Sequence, residues 1–276
     1  MSRDGRSAAV VNDYGRQGQV IDLRHGRVTM QLDGGDYHPD TVPFSAAFVD
    51  VGGRSLLAHR TSWNRLDLSD PRDGALLTAR GPTSYRRGEE RPEHYLDYFH
   101  GALRVSPSHR RIADDGWVWH PIGVVTTWEL EPWLADPWES EDGASRGSLC
   151  ARDYYWDHAL CWIDDDVIAV GGIGEDDAWI IDGARIFDAS TGRERLAFAG
   201  PGGTFFSDGA SLYASDEGGL SRWDPRDGHR TGHVPGFRPT HHHRAAGELV
   251  SLQGSAGRWT LVRWRGLAQP VVASRR

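Results

Sequence analysis

Phe205-Phe206-Ser207-Asp208-Gly209 opens a stretch in which short apolar runs alternate with turn residues up to Gly228. Ser211-Leu212-Tyr213-Ala214-Ser215 follows, then Leu220-Ser221-Arg222-Trp223-Asp224 and the turn Pro225-Arg226-Asp227-Gly228. Each run is too short for a helix and is bounded by Asp or Gly, which reads as consecutive β-hairpins. Asp accepts backbone N–H bonds in a turn, and Gly supplies a positive φ.

The first hairpin of this stretch recurs along the chain. Ser2-Arg3-Asp4-Gly5 leads into Ser7-Ala8-Ala9-Val10, and Asp50-Val51-Gly52-Gly53 into Ser55-Leu56-Leu57-Ala58. Further copies lie at Val105–Ala113, Ile163–Ala169 and His243–Val250. With the starting stretch this makes six signals. A strand ending in Asp before a glycine turn follows at Asp22 with Gly26, Asp188 with Gly192 and Asp224 with Gly228. Arg65-Leu66-Asp67 with Asp70-Pro71-Arg72-Asp73-Gly74 is a looser case. Such self-similarity is the mark of a repeat architecture.

The order of strands and turns, with its Trp223-Asp224 dipeptide, resembles one repeat of a WD40-like bacterial β-propeller. The resemblance implies an all-β fold: a β-propeller of six blades, each of about four antiparallel strands, in a single domain over residues 1–276. The chain starts at the turn of its first hairpin, so its first blade lacks an inner strand. The resemblance implies a ring closed by pairing of the N- and C-terminal segments, with Val271–Ala273 joining Ala8–Asn12 or lying beside Trp259–Trp264. A two-sheet sandwich is the rival, with turns every 8–12 residues or so rather than repeats near 40. Helix is expected only between Leu130 and Ser140, kept short by Pro132 and Pro137.

The net charge of −8 argues against a nucleic-acid partner, whose phosphates call for a basic surface. The sequence contains no lysine, the pattern that GC-rich coding would give; this excludes Schiff-base chemistry and a phosphate-loop lysine. Cys150 and Cys161 form no disulfide framework. No run approaches the roughly 18 apolar residues of a membrane span, and residues 1–6 have no apolar core. The expectation is a cytoplasmic protein with no membrane contact.

Candidate chemistry is sparse. His241-His242-His243 on a strand alternate faces, so they do not converge on a metal. Asp164–Asp166, Glu175–Asp177 and Glu139–Asp142 lack calcium-loop spacing and read as solvated turns. Gly171-Gly172-Ile173-Gly174 lacks the βαβ context of a dinucleotide site. No nucleophile elbow is present. Ser2-Arg3-Asp4-Gly5 misses the spacing of a sialidase-type box, and Ile186–Gly192 lacks the Trp that follows the glycine in quinone-dependent propeller dehydrogenases. No metal, cofactor or catalytic residue is assigned.

The aromatic residues carry the functional expectation: a non-catalytic scaffold that binds a protein or peptide on one ring face. Asp97-Tyr98-Phe99-His100 and Asp153-Tyr154-Tyr155-Trp156 each precede an inner strand, where WD40-like propellers open on a partner face. Tyr98, Phe99, His100, Tyr154, Tyr155 and Trp156 are the expected patch, rimmed by Arg86, Arg87, Glu89 and Glu90. Two readings stay open beside it. The aromatics pack between blades as core, or the protein is a hydrolase or lyase with polar residues at a central channel.

Overall fold

A computed structural model describes residues 1–255 and 257–265. The segment 271–273, expected to close the ring, lies outside the described residues. Twenty-one strands are present: β1 (Ser7–Val11), β2 (Gln17–Asp22), β3 (Arg27–Asp33), β4 (Ala46–Val51), β5 (Arg54–Ser62), β6 (Arg65–Ser69), β7 (Phe99–Val105), β8 (Arg111–Val118), β9 (Ile122–Glu129), β10 (Gly147–Asp153), β11 (Leu160–Trp162), β12 (Val167–Ile173), β13 (Ile181–Asp188), β14 (Glu194–Ala199), β15 (Thr204–Ser207), β16 (Leu212–Asp216), β17 (Gly219–Trp223), β18 (Arg230–Pro235), β19 (His241–His243), β20 (Glu248–Ser255) and β21 (Arg258–Arg265). They form six antiparallel meanders, three of four strands and three of three. Among the described residues, helix is confined to α1 (Leu130–Ala135), α2 (Glu139–Asp142) and two single 3₁₀ turns.

The chain divides into two compact units. Unit 1 holds residues 1–157 with 175–179 and 189–192, and so the sheets β1-β2-β3, β4-β5-β6 and β7-β8-β9-β10. Unit 2 holds β11-β12-β13-β14, β15-β16-β17-β18 and β19-β20-β21.

The repeat signals fall where the strands turn. Val51 pairs with Arg54, so Gly52 and Gly53 make a two-residue hairpin loop, both at positive φ (56° and 72°). Only glycine fills both places of such a turn without strain. The Asp-Pro-Arg-Asp-Gly sequence occurs once in each unit with one geometry. Asp70 Oδ1 accepts from the Arg72 backbone N–H at 3.0 Å and from its Nε at 2.9 Å, and Gly74 N–H donates to Asp70 O at 2.9 Å. In unit 2, Asp224 Oδ1 accepts from Arg226 N–H and Nε, both at 2.9 Å, and Gly228 N–H donates to Asp224 O at 2.9 Å. The Arg226 side chain, then its backbone N–H, hold the Asp224 carboxyl down to about 2. After Gly74 the chain pairs only briefly with β6, through a Ser69–Leu76 bridge and Leu77 N–H to Leu68 O.

Strands such as β6 and β8 are buried on both faces, and apolar side chains of adjacent sheets pack together. In unit 1, Val20, Met30 and Leu32 meet Phe44 and Leu57. Val49, Leu56, Leu66 and Leu68 meet Leu103, Ile112, Trp128 and Trp133. In unit 2, Ile163, Ala169 and Ile186 pack with Phe205, Leu212 and Trp223. Phe206, Tyr213 and Leu220 pack with Phe237, Leu249 and Trp264. Trp223 of the Trp-Asp dipeptide is thus a core residue. Gly200 is needed beside it, since a Cβ there would lie 2.4 Å from the indole.

One acidic group differs from expectation. Glu139 and Glu141 are buried in α2 rather than solvated in a turn. Glu141 pairs with Arg80, which also bonds Asp67 Oδ1 at 2.6 Å, while Trp138 lies under the guanidinium at 5.4 Å. This network fastens the start of the long connection between β6 and β7 to the sheet, and it charges the interior because Arg80 has carboxylates on both sides.

Candidate functional site

In unit 1, one end of every sheet gathers three kinds of connection. The β1–β2, β5–β6 and β8–β9 turns lie there. So do the segments that leave β3, Thr78 and β10 for the next sheet. All six exposed aromatic residues of the unit sit in these segments or in residues 175–179: Tyr14, Tyr37, Tyr85, Trp119, Tyr154 and Trp179. Five of the six non-glycine residues at positive φ sit there too: Tyr14, His38, His120, Tyr154 and Asp157. Such conformations cost free energy and concentrate at functional loops.

The rings form a continuous chain of contacts. Tyr85 meets Tyr95 edge-on at 5.1 Å, Tyr95 meets Trp63 at 6.4 Å, and Trp63 meets Tyr37 at 5.1 Å. Tyr37 touches His38, and His38 stands on Trp119 at 5.3 Å. Trp119 meets Trp117 at 4.7 Å, and Trp117 meets Trp156 at 5.8 Å. Phe99 is the floor: it is fully buried and within 6 Å of Tyr37, Trp63, Trp117 and Trp119. Offset and edge-to-face pairs of this kind fix one another beyond their area of burial.

Buried polar groups hold the loops in place. Asn64 Nδ2 donates to Thr83 O at 2.8 Å and Leu96 O at 2.9 Å, pinning the Tyr85–Tyr95 segment beside Trp63. Arg60, 1% exposed, donates from Nη2 to Gly15 O at 2.6 Å and lies over the Phe44 ring. Burial brings its pKa down to about 10, so it stays charged at neutral pH. Gly34 makes room for it, as a Cβ there would lie 2.6 Å from Arg60 Nε. Gly123 does the same for the loop after β10, since its Cβ would overlap Tyr155 O at 1.9 Å. Tyr14 Oη donates to Asp157 Oδ2 at 2.5 Å, linking the first turn to that loop.

The six aromatic and histidine residues expected to form the patch are divided by the structure. Tyr98, Phe99 and His100 are buried, at 2%, 0% and 0% exposure, and so are corrected from surface to interior. Tyr98 Oη donates to Val124 O at 2.8 Å, and burial raises its pKa well above the ordinary value. His100 Nδ1 lies 2.5 Å from Asp114 Oδ2. Tyr154 is exposed, and Tyr155 and Trp156 are half-buried. The reason is register. Phe99 is the first residue of β7, whereas β11 begins at Leu160, five residues after Tyr155. The two Asp-Tyr-aromatic sequences are therefore not equivalent in the repeat, although Phe99 and Trp156 do join through Trp117. Arg86, Arg87, Glu89 and Glu90 are exposed beside Tyr85.

Tyr14, Tyr37, Trp63 and Trp119 were not singled out by the sequence reading. Their signal is a large aromatic inside a turn rich in Gly, Asn, Asp, Ser, His and Pro. Among the described residues no group of three potential metal ligands converges. The His241–His243 triplet alternates exposed, half-buried and exposed, as a strand requires. No helix of the described residues is long and apolar enough to cross a membrane.

No protein-family model and no curated protein matches the chain. Among solved structures it is similar to the dihydro-heme d1 dehydrogenase NirN in complex with DHE, with a TM-score of 0.55 and 16% identity over 99% of this chain and 55% of that one. It is also similar to a chain of the mitotic checkpoint complex, with a TM-score of 0.52 and 13% identity over 86% of this chain and 64% of that one. The chain thus spans less than two thirds of either match. At these identities the likeness shows the fold alone, which is propeller-like.

Proposed function

We propose that the chain is a non-catalytic, WD40-like scaffold whose partner, a protein or peptide, docks on the aromatic face of unit 1. The observation that carries the reading is the ring-contact chain from Tyr85 to Trp156. Several of its rings are open to water although the loops bearing them are pinned. Tyr and Trp in contact over a buried aromatic floor have the composition of a binding hot spot. Rigid loops keep low the entropy that binding would otherwise cost.

A hydrolase or lyase acting at a central channel needs carboxylates and imidazoles converging on open space. In unit 1 His100 and Asp114 do pair, but both side chains are fully buried and reach no open space, which supports the scaffold over the enzyme.

Affinity capture from cells of the source organism tests the reading, with wild type, Trp119→Ala, Tyr37→Ala and Trp259→Ala run in parallel. Trp259 is an exposed tryptophan of unit 2. One protein is expected to be retained by wild type and Trp259→Ala, and depleted at least about fivefold by each of the other two. Equal recovery on all four would refute the aromatic face as the docking surface.

A further inference from the structure

The charges around this face are one-sided, and they indicate the chemistry of what it holds. Asp36 precedes Tyr37 and Asp40 closes the same loop. Asp97 stands two residues before Phe99, and Asp13 precedes Tyr14. All four carboxylates are exposed, and among the described residues none takes part in an ion pair. Some turn carboxylates of the unit are instead neutralised by a nearby cation. Asp70 has Arg72 and Arg54, Asp33 has Arg16, and Asp22 has His25 and Arg27.

The negative field reaches the tyrosines. The Tyr95 hydroxyl is pushed up first by burial and then by the Asp97 charge. Tyr14 is raised by burial, by its hydrogen bond to Asp157 and by the charges of Asp157 and Asp13. The arginines on this side do not cancel the effect. Arg16 pairs with Asp33 and reaches Asp36 only through its longer-range field, and Arg91 lies over the Tyr95 ring. Arg86 and Arg87 share their segment with Glu89, Glu90 and Glu93.

An aromatic surface with unpaired carboxylates at its edge matches a cation that is itself flat and apolar on its faces. Guanidinium has that character: it stacks on rings, is weakly hydrated, and bonds carboxylates at its rim. We infer that the partner presents an arginine-rich segment, whose guanidinium groups stack on Tyr37 and Trp119 while Asp36, Asp40 and Asp97 take their N–H donors. This rests on the docking face proposed above and specifies its ligand.

Fluorescence anisotropy tests it with labelled Arg-Gly, Gln-Gly and Glu-Gly repeat peptides of equal length. The Arg-Gly peptide is expected to bind at least about tenfold more tightly than the other two, and to weaken with added salt. The triple variant Asp36→Asn, Asp40→Asn, Asp97→Asn changes only exposed groups, and it should lose about tenfold for Arg-Gly alone. Trp119→Ala should lose at least about fivefold, and Trp259→Ala nothing. Gln-Gly or Glu-Gly binding as tightly as Arg-Gly and still lost in Trp119→Ala would overturn the cationic ligand but keep the docking face. Arg-Gly binding unaffected by both Trp119→Ala and the triple variant, or no binding of Arg-Gly, would overturn the inference outright.

Discussion

Arg80→Met should lower the unfolding free energy by about 3–5 kcal/mol, because it leaves buried carboxylates without their cation. The Arg80 side chain is 2% exposed; it bonds Asp67 and Glu141, and also Leu66 O at 2.9 Å and Thr78 O at 2.8 Å. After its removal the cation left facing Glu141 is Arg65, its Nε 3.8 Å away, beside the Ser140 hydroxyl. Glu141→Gln should cost less, about 1–2 kcal/mol, since Arg80 keeps Asp67 and one buried charge disappears. Burial raises the Glu141 carboxyl above the ordinary range in spite of Arg80. A raised carboxyl contributes stability below the unfolded-state value, and that contribution is lost as pH rises through the folded one. The deficit of Glu141→Gln relative to wild type should therefore be larger near pH 4 than at pH 7. Urea unfolding at both pH values reads this out. A loss below about 1 kcal/mol for Arg80→Met, or equal losses for the two variants, would show that the network contributes little.

Phe99→Ala should be comparably damaging, at about 3–5 kcal/mol, because it empties the floor beneath four rings. Trp119→Ala, at a 40% exposed position, should cost well under that, about 1 kcal/mol or less. The pair separates support from surface within one aromatic cluster. Similar losses in urea unfolding would mean that Trp119 is core and that the exposed face is smaller than described.

The propeller-like architecture was legible because hairpin turns are local. Gly52-Gly53 and the two Asp-Pro-Arg-Asp-Gly sequences carry their geometry in a few consecutive residues, and all six repeat signals fall at strand-flanking turns. The site was legible only in part. Whether Tyr98 faces solvent depends on where β7 begins, and a shift of one residue exchanges the two faces of a strand. Phe99 and Trp156 meet through Trp117, and Tyr37 meets Trp63, across sheet packing that spacing along the chain does not encode. The burial of Glu141 was hidden for the same reason: Arg80, the cation that permits it, lies some sixty residues earlier.

The central claim is that unit 1 binds its partner through the aromatic face, and residue-level footprinting of the captured complex tests it most directly. Oxidative labelling of the free and bound protein compares the exposed rings. The account predicts protection of Tyr37, Tyr85 and Trp119 on binding, with Trp259 labelled equally in both states. Unchanged labelling of those three rings, with protection falling instead on Trp259 or other residues of unit 2, would contradict it.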